Sequence, residues 1–257
     1  MNAPREPLPT RVDETPDLPA AYHAALASAL TELDLDLEPR ARAVIDGHVR
    51  LLLAWTAFIN LTSIRDPAEV ALAHVADSLT AVGVLRERGI DRVLDLGTGG
   101  GLPGIPLAAA LPASRACLVE PIGKKARFLE AVVHATDAGA TVSVTCARAE
   151  ALAGDPEHRA AWPAVTARAV TSTADLIELA FPLLEAGGIL VAWKRGDLTD
   201  ELTAARRAAT ALGGGVIRQH PVTLTGLAGH VLVTVRRTGR VPDGYPRDPS
   251  ERKRRPW

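Results

Sequence analysis

The 257-residue chain is poor in cysteine: Cys117 and Cys146 are the whole supply. Both stand in apolar, strand-like runs, which argues against a disulfide framework and suits reduced, buried thiols in a cytosolic protein. The opening stretch MNAPREPLPTRVDETP lacks the apolar core of a secretory signal. The longest apolar run, LLLAWTAFI (Leu51–Ile59), is far too short to span a bilayer. A soluble, cytoplasmic protein with no membrane partner is expected. Charge of one sign is lacking too: 29 Lys and Arg face 30 Asp and Glu, a formal net charge of -1, which argues against a wholly basic nucleic-acid coat. His48, His134 and His230 lack the spacing of metal ligands, so core or surface histidines are expected and no metal site. No internal repeat is found.

What is present begins with 47% hydrophobic residues, enough for one full core and a smaller appended unit. Residues 1–17 are rich in proline and charge and are expected to be disordered. Residues 18–88 carry three helical patterns and form a helical cap. The third begins at RDPAEV, where Asp66 suits an N-cap and Pro67 the first helical position. Over residues 89–237 the runs RVLDL, ACLVE, TVSVTC, AVTARAV and GILVAWK alternate with helical segments, the signature of βαβ units in a doubly wound α/β sheet. The last two strand-like runs, GGVIRQHPVTL and GHVLVTVRR, have no helix between them and should pair antiparallel at the sheet edge. From Arg236 to Trp257, eight Lys and Arg face three acids. Residues 238–257 thus read as a basic tail on a neutral body.

The stretch VLDLGTGGGLPG ends the first strand of that domain, where open α/β sheets bind their ligands. Gly97, Gly99 and Gly101 tolerate positive φ and leave the backbone bare for close approach. About twenty residues on, Glu120 ends the second strand, where a carboxylate can accept both hydroxyls of a ribose. Strand, glycine loop, helix, strand and acid in this order indicate a nucleoside-containing cofactor. Two frames fit the loop. Gly99-x-Gly101-x-x-Gly104 is a dinucleotide fingerprint, but Pro103 and Pro106 lack the N–H groups that a pyrophosphate needs. Asp95-x-Gly97-x-Gly99 puts a carboxylate where it would repel a pyrophosphate and suit the ammonium and sulfonium of S-adenosylmethionine. The second frame is preferred.

The segments NLTSIRDPAEV, HVADSL, LDLGTGGGLPGIPLA, GKKARFL, ARAE and ARAV, followed by YPRDP near the end, occur in an order that resembles the RsmG (GidB) family. These are bacterial methyltransferases acting on N7 of a guanine in 16S ribosomal RNA. The resemblance covers roughly Leu52 to Lys194. It implies a Rossmann-like class I methyltransferase sheet, mostly parallel with an antiparallel C-terminal edge strand, with S-adenosylmethionine as cofactor and 16S ribosomal RNA or the small ribosomal subunit as partner. Matched by letters, it implies a cofactor site of Gly97, Leu102, Glu120, Ala149, Glu150 and Arg168, to which the loop reading adds Asp95 and Gly99. His74, Asp77 and Ser78 match the H-x-x-D-S-L signature, and Lys194 a lysine after the fifth strand. These four are positioning candidates, with no certain catalytic residue among them. The loop has Gly-Thr-Gly-Gly-Gly where the family has alanine or proline in the middle, and the end reads YPRDPSERKRRPW where the family tends toward YPRRPGxPxKxPL.

His74, Asp77 and Ser78 lie at i, i+3 and i+4 on one helix face, which equally suits a hydrogen-bonded seam between cap and sheet. Arg65, Lys124, Lys125, Arg252, Lys253, Arg254 and Arg255 are candidates for RNA phosphate contact. The last four are expected to act apart from the cofactor. Guanine N7 carries an in-plane lone pair and no proton, so no general base is expected. Three alternatives stay open: another methyl acceptor, a nicotinamide-dependent oxidoreductase, and a non-catalytic RNA-binding module with a vestigial loop.

Overall fold

The computed structural model describes residues 8–111 and 115–257. Helices α1 (Ala20–Glu32) and α2 (Pro39–Thr56) come first. Helix α3 (Pro67–Val70) starts where the Asp66 carboxylate accepts the Glu69 amide at 2.9 Å, as the N-cap reading anticipates. The chain then widens into a π turn over Ala71–Ala76 before α4 (Asp77–Leu79) and α5 (Val82–Arg86). By length and composition the stretch Pro67–Arg86, with a mean hydropathy of 1.4, could cross a membrane. The sequence reading missed it because it counted only unbroken apolar letters. In the fold it is a core element, with Val70, Val75, Leu79 and Leu85 buried together with Tyr22 and Leu26 of α1.

Strand and helix then alternate: β1 (Arg92–Leu96), α6 (Gly104–Ala110), β2 (Arg115–Val119), α7 (Gly123–Ala135), β3 (Val142–Thr145), α8 (Ala149–Ala153) and β4 (Trp162–Arg168). The order continues with α9 (Thr173–Ala180), β5 (Leu184–Arg195), α10 (Thr199–Ala211), β6 (Gly214–Pro221), β7 (His230–Arg237) and α11 (Pro249–Arg254). The seven strands line up as β3-β2-β1-β4-β5-β7-β6. The first five are parallel; β7 runs antiparallel to both β5 and β6, so the helix-free pair closes the edge as expected. Helix α9 stops at Ala180, and the next letters, FPLL, lead into the long β5.

Alternation along the strands decides what each face carries. Leu94, Leu96, Val165 and Ala167 join the core under α9 and α10, whereas Val93 and Ala164 join the core under the helical cap. Asp95, Thr166 and Arg168 therefore point toward the cap. Two expectations change here. Residues 8–17 are packed rather than disordered: Leu8 and Val12 lie against the cluster of Leu51, Leu52 and Trp55, and the Trp55 indole donates to the Pro9 carbonyl at 2.7 Å. Proline costs nothing there, because what the contact uses is its carbonyl. Residues 1–7 of that segment lie outside the described residues. Cys117 is buried, but Cys146 is exposed, since β3 ends one residue before it.

Candidate active site

The loop after β1 turns through left-handed conformations at Gly97, Gly99 and Gly101, with φ of +65°, +58° and +86°. Its shape is fixed from below. The amides of Gly97 and Thr98 both donate to the Val119 carbonyl, and Gly99 donates to Glu120 Oε2 at 3.0 Å. Gly104 donates to Asp95 Oδ2 at 2.9 Å, while Asp95 Oδ1 accepts the Thr166 hydroxyl at 2.7 Å. Burial pushes the Asp95 carboxyl up to about 6, against the pull of its hydrogen bonds. Asp95 lines neither cavity described below; strand alternation turns it under the loop, where it acts as a strut.

A second strut was read from the sequence only as a core or surface histidine. His48 of α2 is fully buried with Nε2 2.6 Å from the Gly100 carbonyl. Burial lowers its pKa to about 4, so the neutral ring donates this bond. The dinucleotide frame also meets its answer here. The amides of Gly101 and Leu102 go to Thr98 O, Gly104 to Asp95 and Ile105 to Gly101 O. Prolines 103 and 106 have none to give, so this helix start has no cradle of free amides for a pyrophosphate.

Two cavities meet at Gly97. The first, of about 510 Å³, lies over the strand ends between Leu96, Val119, Ala149, Glu150, Val170 and Leu179. Ala149 and Glu150, which the resemblance sets beside the adenine, stand next to each other in this lining. Glu120 is buried between two lining residues, Val119 and Pro121, and also accepts the Ile122 amide at 2.9 Å through Oε1. The far wall comes from Pro249, Arg252, Lys253 and Pro256. Of the four tail cations expected to act apart from the cofactor, two stand at this cavity. Arg252 is bonded to Glu150 and to the Arg247 carbonyl, and Lys253 lines the same cavity. Arg254 and Arg255 are exposed and line neither cavity.

The second cavity, of about 590 Å³, is lined by Thr62, His74, Asp77, Gly99, Leu102 and Arg168, with Lys125, Trp193, Lys194, Arg195 and His230. Gly99, Leu102 and Arg168, expected at the cofactor, are thus on this side of Gly97. Arg168 reaches Asp77 at 3.1 Å and the Ala73 carbonyl, in the π turn, at 3.2 Å. Asp77 also takes His230 Nδ1 at 3.0 Å, and its carbonyl accepts the Trp193 indole at 2.7 Å. The sequence reading did not single out Trp193 or place His230 here. Ser78 is not in the cavity: its hydroxyl turns back to the His74 carbonyl of its own helix. Lys194 is paired with Glu201 at 2.6 Å and donates to Thr171 O. Arg65 and Lys124 are exposed and line neither cavity.

Burial, aided by the Arg168 charge, lowers the His74 pKa to about 4 as well, so this ring is neutral at pH 7. Between pH 6 and 4.5 the unfolded chain protonates His48 and His74 while the folded chain does not, and this stability is lost as pH falls. Asp95 works the other way, since its raised pKa lets the folded chain take a proton first. Two protons against one leave a net single proton, so these three groups together should lower stability by about 1.4 kcal/mol per pH unit in this window. Denaturant titrations of His74→Asn should show a slope smaller than wild type by about 1.4 kcal/mol per pH unit there; an unchanged slope would contradict the assignment.

Comparison with known proteins agrees with this architecture. Residues 42–224 match the family model described as GidB, rRNA small subunit methyltransferase G. The chain is 40% identical over 217 residues to ribosomal RNA small subunit methyltransferase G of Roseiflexus castenholzii, covering 84% of this chain and 92% of the relative. The protein of that name from Deinococcus deserti is 38% identical over 233 residues, covering 89% and 93%. Among solved structures, an O-methyltransferase from Bacillus cereus in complex with SAH superposes with a TM-score of 0.55 at 12% identity, over 80% of this chain and 94% of that one, which bears on the fold alone. With the S-adenosylmethionine-dependent methyltransferase fold and a family match over most of its length, the chain belongs to the rRNA small subunit methyltransferase G (GidB) family.

Proposed function

We propose that this enzyme methylates N7 of a guanine in 16S ribosomal RNA, in the cytosol, with the adenosyl end of the cofactor in the first cavity and the base in the second. The observation that carries this reading is the meeting of the two cavities at Gly97, one walled by apolar strand ends, the other by a buried polar cluster with cations at its rim. The residues fit the cofactor. A Cβ on Gly99 would meet nothing nearer than the Gly97 carbonyl at 3.9 Å, so the loop's upper face is open to a ligand. Glu120, at the end of β2, carries lone pairs beyond the two it gives to amides, and these suit ribose hydroxyls.

S-adenosylmethionine supplies an electrophilic methyl group on a sulfonium. The chain's own task is to hold the acceptor in line with it, a proximity effect worth several kcal/mol. No residue need remove a proton, and a His74 ring with its pKa lowered to about 4 is a weak base. Lys125 and Arg195 draw phosphate to the cavity mouth without reading sequence. The N7 edge of guanine is hidden in the deep groove of A-form RNA, so the acceptor is a loop or splayed base.

Small ribosomal subunits that lack the mark should gain one methyl group on one guanine of 16S ribosomal RNA, located by mass mapping. A methyl group found on another atom or another RNA would overturn the assignment. Single-turnover rates at saturating RNA should change less than about twofold between pH 6.5 and 8.5, because guanine N7 has no proton to lose to a base. A single-proton dependence that vanishes in His74→Asn would show an acid–base role.

A further inference from the structure

The C-terminal segment reads in sequence as a solvated basic end. In the fold it is held down by an acid that the rest of the protein does not use. Glu178 of α9 is fully buried. Its carboxylate takes Arg247 Nε at 3.0 Å, the Arg247 amide at 2.8 Å and the Trp257 indole at 2.7 Å. Burial pushes the Glu178 carboxyl up, but these hydrogen bonds outweigh it and leave the group below its ordinary range. The Arg247 guanidinium lies 4.8 Å from the Trp257 ring and 5.7 Å from the Tyr245 ring, and the two rings stack at 6.0 Å. A buried carboxylate without these partners would be costly, so this anchor fixes where the segment lies.

From that anchor α11 is laid along the open side of the first cavity. Pro249, Arg252, Lys253 and Pro256 face Ala149 and Glu150 across it. Arg252 spans the gap: one end of its guanidinium holds the Arg247 carbonyl at 2.6 Å, the other holds Glu150. We infer that α11 is a wall of the cofactor site, anchored through Glu178 and latched by Arg252, and that it sets how tightly and for how long the adenosyl moiety is held. The inference rests on the reading that the first cavity holds that moiety. Without the latch the wall keeps its anchor but loses its tie to Glu150, and the Glu150 carboxylate loses its counter-charge.

The test compares wild type, Arg252→Ala and Arg254→Ala in the full chain. Calorimetry with S-adenosylmethionine, hydrogen exchange of residues 249–256 with and without it, and RNA affinity at several salt concentrations are read together. Arg252→Ala should weaken cofactor binding by about tenfold, the size of a lost hydrogen bond to a charged group. Its melting temperature without cofactor should fall by about 4 °C at most, because the Glu178 anchor on Arg247 and Trp257 still holds the segment. In wild type the cofactor should slow exchange across residues 249–256, and Arg254→Ala should bind it as wild type does. Unchanged cofactor affinity in Arg252→Ala, with exchange indifferent to cofactor, would overturn the inference. So would a loss of RNA affinity alone, which would return Arg252 to phosphate contact. Wild-type protein that binds no S-adenosylmethionine would sink the reading of the cavity itself, and the inference with it.

Discussion

Gly97→Val is expected to bring S-adenosylmethionine binding below detection, a loss of at least a hundredfold, while the circular dichroism spectrum keeps its wild-type form. At φ +65° a residue with a Cβ is strained by about 1–2 kcal/mol, and a β-branched one by more. The new Cβ would also sit 2.9 Å from Val170 Cγ2. Either the loop shifts, or Val170 is driven into the first cavity that it lines. Both spoil the junction of the two cavities, and neither reaches the core of the sheet. Gly83→Ala is the control, since its Cβ meets nothing within 4 Å and its helix tolerates alanine. Undiminished cofactor affinity in Gly97→Val would show that the ligand does not pass over this residue.

The second large effect belongs to Arg168. The pair is buried, with side-chain exposures of 14% for Arg168 and 4% for Asp77. Arg168→Leu would leave the Asp77 carboxylate with His230 as its remaining side-chain partner, and breaking such a pair costs about 3–5 kcal/mol. In a chain of this length that is a fall in melting temperature of about 10 °C. Methyl transfer should fall with it, because Arg168 ties Ala73 and Asp77, both lining the second cavity, to the end of β4. The double variant Asp77→Leu with Arg168→Leu should be more stable than Arg168→Leu alone, since no charge is then stranded. Equal stability of Arg168→Leu and wild type would mean that the pair does not hold the cap to the sheet.

What was legible in the sequence was local. The βαβ rhythm, the Asp66 cap and the glycine loop each announce themselves within a dozen residues, and each stands where the letters put it. The antiparallel pair β6 and β7 was legible too, because the missing helix between two strands is itself a local signal. Long-range partners left no such mark. His48 braces Gly100 from 52 residues away, and one histidine on the apolar face of α2 looks like any other. Arg252 meets Glu150 from 102 residues away, so a cluster of cations near the end showed its charge without its partner. Asp95 is different, for the signal was present. Alternation with Leu94 and Leu96 already turns its side chain toward the cap, beneath the loop that it braces through Gly104.

The strand order has a consequence for how the protein is made. Strand β6 pairs only with β7, and β7 lies between β5 and β6. As the chain leaves the ribosome β6 emerges before β7, its partner in the sheet, and the long edge of β5 waits for the same strand until residues 230–237 arrive. The same last strand brings His230 to Asp77, paired opposite Arg195 in the register with β5. A nascent chain stopped short of β7 would therefore lack two strands rather than one, and the second cavity would be missing a wall. The order of synthesis thus makes this cavity one of the last parts of the enzyme to be completed.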